Sequence, residues 1–220
     1  MTVFSTKTNI PPSATLAVNT LAQAKKAAGE RVFNLSAGEP IISTGHYFKP
    51  AINQALDDGK TLYPPVPGIE ELRIKSAAWM NHNYHSDYTK NNTLISCGGK
   101  FGIYLLLQAL LNDSDEVIVL APYWVSYPPM VKLFGGVPVI VQTAAENDFK
   151  VNPADIAAAI TPKTKMIIFN NASNPTGVLY EKSEIESILK LAKANNLILL
   201  SDEVYSGLTY DGEYYSAASF

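Results

Sequence analysis

From residue 93 onward, short unbroken apolar runs alternate with stretches of helical spacing. The runs are TLISC (93–97), EVIVL (116–120), PVIVQ (138–142), KMIIFN (165–170) and LILLS (197–201). Between them, helices are expected from Gly99 through Leu111 and over 124–134, 153–160 and 181–194. A strand that faces solvent on one side alternates apolar with polar residues. These do not, so they are expected to be buried on both faces. Strand and helix in regular succession then imply an α/β fold of three αβα layers around a mostly parallel sheet.

The first ninety residues are less regular. Ile10, Pro11 and Pro12 break structure, with Ser13 or Thr15 as caps for a helix that Gly29 stops. A short strand is expected at 32–36 (VFNLS), a loop to His46, and helices over 48–58 and 69–84. Between those helices, Tyr63, Pro64, Pro65, Val66, Pro67 and Gly68 form a stiff exposed loop, because proline cannot donate to a helix or a central strand.

Composition narrows the function classes. Of 220 residues, 47% are hydrophobic, enough for a folded core. Seventeen basic against 20 acidic residues leave a net charge of −3, with no basic surplus for a nucleic-acid backbone. The lone Cys97 excludes an internal disulfide and suits a reducing compartment. No signal-peptide layout opens the chain, and no apolar run approaches a membrane span, so a cytoplasmic protein is expected. His82 and His85 lie three apart with no further ligand near, so no metal site is expected. Cys97 reads as a small core residue at a strand end, and the tyrosine-rich tail (Tyr205, Tyr210, Tyr214, Tyr215) as a hairpin.

In doubly wound sheets, ligands sit beyond the carboxyl ends of the strands. Four sets of residues occupy that place here: Gly98, Gly99 and Lys100; Pro122, Tyr123 and Trp124; 170–177; and Asp202, Glu203, Val204 and Tyr205. The glycine pair opens a helix, where free N–H groups and the dipole favour an anion. It is no Walker loop, since Leu94 stands where the first glycine belongs and Phe101 replaces the hydroxyl residue. Trp124 offers a stacking face, Asn174 an amide, Asp202 a carboxylate and Tyr205 a phenol. Each has a plainer reading as a tight turn, a packing tryptophan, a Pro-Gly turn or a helix cap. Together they suit pyridoxal phosphate better than NAD, because no acidic ribose ligand follows the glycines.

The stretches PSATLAVN, SAGEP, YPPVPGIEELR, CGGKFGIYLLLQALL, DEVIVLAPYWVSYPPMV, ITPKTKMIIFNNASNPTGVLY and LLSDEVYSGLTYDGE resemble the class I aminotransferases of pyridoxal-phosphate fold type I, most closely the bacterial aspartate aminotransferases. The resemblance runs in order along almost the whole chain. It implies an incomplete large cofactor-binding domain over 46–220, preceded by an N-terminal arm and part of the small domain over 1–45. It implies pyridoxal 5′-phosphate as cofactor and an amino acid and a 2-oxo acid as substrates, with aspartate one candidate amino acid, in a homodimer. By the same resemblance, the backbone of Gly99 and Lys100 would hold the cofactor phosphate. Trp124 would stack on the ring and face substrate. Asn174 and Tyr205 would bond the phenolic oxygen, with Asn174 also near the substrate carboxylate. Asp202 would pair with the ring nitrogen, Gly38 would touch the substrate carboxylate, and Tyr63 would reach the neighbouring subunit's cofactor phosphate. Lys100 also resembles a side chain that meets an acidic substrate's distal carboxylate.

The resemblance also asks for a lysine after the Asp202 strand and for an arginine near the C-terminus. No lysine follows Lys193, and the two arginines, Arg31 and Arg73, lie early. The segment 41–46 (IISTGH) departs from the family's acidic pattern. The expectation is therefore an N-terminal portion of an aminotransferase, inactive in transamination alone. A lyase or synthase of the same fold and a degenerate non-catalytic remnant are the alternatives. A ligand-sensing half of a transcription regulator fits less well, because PSATLAVN begins at Pro12 and leaves no room for a basic DNA-binding domain upstream.

Overall fold

The computed structural model describes Ile10, 13–36, Gly38 and 45–220. Two compact units are present, Pro11–Ile69 and a larger one that includes Glu70–Phe220.

The larger unit is built on four strands: β1 Glu116–Ala121, β2 Val137–Gln142, β3 Thr164–Asn170 and β4 Ile198–Asp202. They are all parallel, in the order β2-β1-β3-β4. Alternate residues feed two cores, one on each face. Val117, Val119, Met166 and Ile168 join one cluster, and Ile118, Ile167 and Phe169 the other. Side chains of a strand point to opposite faces in turn, so unbroken apolar runs are what two covered faces require. Each such fully buried side chain contributes about 1.5–3 kcal/mol.

Helices pack both faces. Numbered along the chain, this unit holds α3 Glu70–Tyr84, α4 Gly99–Leu110, α5 Tyr127–Leu133, α6 Pro153–Ala159 and α7 Lys182–Ala194. Helix α4 turns Ile103 and Leu107 into the first core, and α5 adds Tyr127, Met130 and Val131. Helix α7 turns Ile185, Ile188 and Ala192 into the second. Its start is set by a capping box between Glu181 and Glu184. Helix α6 begins on Asn152, whose side chain accepts from the Ala154 N–H, with Pro153 at its first position.

Three expectations are corrected in this unit. Residues 93–97 form no strand: no neighbouring strand takes their backbone groups, and Leu94 is exposed. Cys97 accordingly lies exposed beside the α4 turn rather than inside a strand end. The tyrosine-rich tail is not a hairpin. It is a run of turns and short 3-10 segments at Ser206–Leu208 and Ala217–Ser219. Arg73 explains how the 90–93 segment is held without a sheet, since its guanidinium donates to the carbonyls of Thr93 (2.8 Å) and Lys90.

The smaller unit contains α1 Ala14–Ala27 and α2 Phe48–Asp57, as the spacing of apolar residues predicts. Ser13 sits at the α1 N-cap but makes no capping hydrogen bond; its hydroxyl pairs with Thr15 instead. The strand expected at 32–36 is absent, and Phe33 and Leu35 are exposed. Within the divergent 41–46 segment, residues 41–44 lie outside the described residues, as does Pro12. Among the described residues, no helix is long and apolar enough to cross a membrane.

Candidate active site

The carboxyl ends of β1, β3 and β4 and the start of α4 surround one cavity of about 220 Å³. Gly99, Lys100, Trp124, Tyr127, Asn170, Asn174, Asp202, Val204 and Tyr205 line it. All four residue sets singled out from the sequence therefore reach one hollow.

Helix α4 supplies the donors. Gly98, just before it, has a φ of +83°, a conformation that a side-chain-bearing residue adopts only with strain. That turn aims the helix start at the cavity and leaves no side chain to cap it. The N–H groups of Gly99 and Lys100 have no intrahelical acceptor, as at any helix start. A Cβ added at either glycine would meet nothing within 4 Å, so the space before the turn is open. An anion of phosphate size is the natural occupant of such a site. The Lys100 ammonium stands 5.2 Å from the Trp124 ring centroid.

On the opposite wall, β3 and β4 end in register, Asn170 against Asp202. The Asn170 amide donates to the Asp202 carbonyl (2.9 Å), and its oxygen accepts from the Asn174 N–H (2.7 Å). One side chain thus ties the strand end to the loop that carries Asn174. The Asn174 amide in turn reaches the Tyr205 hydroxyl at 3.4 Å. The Asp202 carboxylate accepts from the Tyr127 hydroxyl (2.7 Å) and from the Val204 N–H (3.3 Å). Burial, reinforced by the Asp202 charge, pushes the Tyr127 phenol far above its ordinary range. Tyr127 also meets Trp124 edge-on, with centroids 5.3 Å apart.

Tyr127 was not anticipated from the sequence, and Asn170 fell within the 170–177 set without a role of its own. Tyr127 stands three residues after Trp124, which is the only local signal it carries. Gly38 and Tyr63 belong to the smaller unit, where both are exposed to solvent. A second hollow of about 390 Å³ lies among Trp79, Tyr84, Tyr88, Leu199 and Glu203. There the Glu203 carboxylate holds Ser201 (2.7 Å) and the Ala217 N–H (3.1 Å), an arrangement that fixes the tail rather than a ligand.

Residues 30–220 match the family model for aminotransferase class I and II. The chain belongs to this family. An aspartate/prephenate aminotransferase of Thermus thermophilus is 43% identical over 205 residues, 93% of this chain and 53% of the relative. An aspartate aminotransferase of Geobacillus stearothermophilus is 41% identical over 204 residues, covering 93% and 52%. Among solved structures, the aspartate aminotransferase from Thermus thermophilus with maleate superposes with a TM-score of 0.97 at 41% identity, over 100% of this chain and 58% of that one. The chain spans about half the length of the curated relatives it matches. The α/β architecture with a parallel sheet is thus that of the aminotransferases.

Proposed function

We propose that the chain binds pyridoxal 5′-phosphate, the cofactor of its family, and serves transfer of an amino group from an amino acid to a 2-oxo acid. The observation that carries this reading is the convergence of Gly99, Lys100, Trp124, Asn174, Asp202 and Tyr205 on one cavity. The donor set matches the group. The Gly99 and Lys100 N–H groups suit a phosphate, Trp124 a flat ring, Asn174 and Tyr205 a phenolic oxygen, and Asp202 a protonated ring nitrogen. When bound, the cofactor supplies an electron sink for charge that develops at the substrate Cα. Asp202, as a carboxylate, holds the proton on the ring nitrogen and so keeps that sink effective.

Further parts of the reading concern the whole protein. Gly38 would touch the substrate carboxylate, and Tyr63 the cofactor phosphate of a second subunit in a homodimer. The reading keeps the division after residue 45 between an N-terminal segment and the cofactor domain, and a cytoplasmic location. The names of the relatives favour acidic substrates, and Lys100 is the cation at hand for a second carboxylate. The family resemblance puts a covalently binding lysine after the Asp202 strand, and these residues contain none there. Binding rather than turnover is therefore the decisive test. Pyridoxamine 5′-phosphate needs no lysine, and in a Trp79→Phe background it should quench the fluorescence of Trp124. Asp202→Ala should weaken that binding by about tenfold or more, the scale of a lost charge-assisted hydrogen bond. Absence of quenching in the unaltered site would refute the reading.

A further inference from the structure

We propose that Tyr127 is the positioning residue of Asp202: its hydroxyl orients the carboxylate and, as a fixed neutral donor, thereby favours a protonated nitrogen on the ring that Asp202 meets. This inference rests on the cofactor reading above and adds a residue to it.

Three observations carry it. First, the bond is direct and protected. The Tyr127 hydroxyl donates to Asp202 Oδ2 at 2.7 Å across 75 positions of sequence, and Tyr127 itself is 2% exposed. Second, the Asp202 main chain is already fixed. Its carbonyl accepts from the Asn171 N–H (3.1 Å) and from the Asn170 amide (2.9 Å), so what remains free is the direction of the carboxylate. Besides Tyr127, among the described residues, the carboxylate accepts only the longer bond from the Val204 N–H at 3.3 Å. Third, Tyr127 and Asp202 both line the cavity, and Tyr127 packs edge-on to Trp124 at 5.3 Å. One side chain therefore joins the stacking wall to the acidic wall.

The chemistry follows from the donor. A buried phenol beside a carboxylate keeps its proton and serves as a neutral donor. A neutral donor stabilises the anion more than the acid, so it lowers the carboxylate's pull on a shared proton. The proton between Asp202 and a ring nitrogen then rests on the nitrogen. Without the hydroxyl, the same proton moves toward the carboxylate. A tyrosine that only filled space would leave that balance untouched.

The test uses pyridoxamine 5′-phosphate labelled with ¹⁵N at the ring nitrogen, bound to the 220-residue chain and to Tyr127→Phe. The expected result is a pyridinium signal in the unaltered chain, displaced toward neutral pyridine in the variant. The variant should retain its affinity for inorganic phosphate, probed separately at the α4 turn. An unmoved nitrogen signal in a folded, ligand-bound variant overturns the inference and leaves the cofactor reading standing. Failure of the unaltered chain to bind overturns both. Should Tyr127→Phe not fold, the Tyr127 hydroxyl proton decides. It is expected as a slowly exchanging proton signal in the unaltered chain, lost in Asp202→Ala. Its survival in Asp202→Ala would show that the two groups are not joined and would overturn the inference.

Discussion

In the larger unit, apolar residues at the centre of the parallel sheet are taken out of water completely: Val117, Ile118, Val119, Met166 and Ile167 are each 0% exposed. In Pro11–Ile69, none of the described residues is buried, and Leu35 is 95% and Val66 97% exposed. The apolar spacing nevertheless predicts helices in both regions, and helices form in both. An α-helix satisfies its interior backbone groups by itself, so α1 and α2 form with their apolar residues exposed. A strand cannot do this. The runs at 32–36 and 93–97 are as apolar as many strands, yet without a neighbour they form none. Apolar pattern therefore foretells helix from the segment alone, and foretells strand only where a partner is within reach.

The largest difference between the regions should appear on truncating apolar side chains. Phe169 is 1% exposed and packs at 4.9 Å against Tyr180 in the second core. Phe169→Ala should lower the unfolding free energy by about 3–5 kcal/mol in urea titration. Leu35→Ala should change it by less than about 0.5 kcal/mol, because the side chain loses almost no contact with the fold. A large loss from Leu35→Ala would mean that this apolar surface is covered in solution, and the contrast between the regions would fail.

The candidate site was legible to the extent that it depends on strand ends. Gly99, Lys100, Trp124, Asn174, Asp202 and Tyr205 all follow an apolar run, and the carboxyl-end rule collects them without any knowledge of distance. Tyr127 escaped it, and Asn170 was collected with 170–177 but given no role, for a definite reason. Their roles consist of bonds to residues 75 and 32 positions away, and nothing in their immediate neighbours encodes those partners. The four paired strands were legible from their continuous apolar character. The missing pair was not, because strand formation belongs to two segments and the sequence displays one at a time.

A smaller effect separates two helix starts. Asn152 caps α6 through its side chain, whereas Ser13 spends its hydroxyl on Thr15 and caps nothing at α1. Asn152→Ala should destabilise the chain by about 1 kcal/mol, and Ser13→Ala by less than about 0.5 kcal/mol, in thermal melts read by circular dichroism. Equal losses would mean that the Ser13 hydroxyl caps its helix in solution.

The smallest effect is in the acid limb of stability. Asp115 accepts from the Asn112 N–H (2.8 Å) and pairs with Lys165 of β3 (2.9 Å), closing the turn between α4 and β1. The backbone N–H foremost, and Lys165 after it, hold its carboxyl below the ordinary carboxylate value. A carboxyl lowered in the folded state stabilises the fold above its unfolded value, and the gain disappears as pH falls through the folded value. The window therefore lies below about pH 4. Asp115→Asn should flatten the loss of stability there and leave the slope above pH 5 unchanged. In the smaller unit, exposed Asp58 is lowered as well, chiefly by the Gln54 amide and next by Lys60. Solvent screens those partners, so Asp58→Asn should flatten the acid limb less than Asp115→Asn does. If the two variants flatten the curve equally, the difference between the regions is one of packing alone and does not extend to their charges.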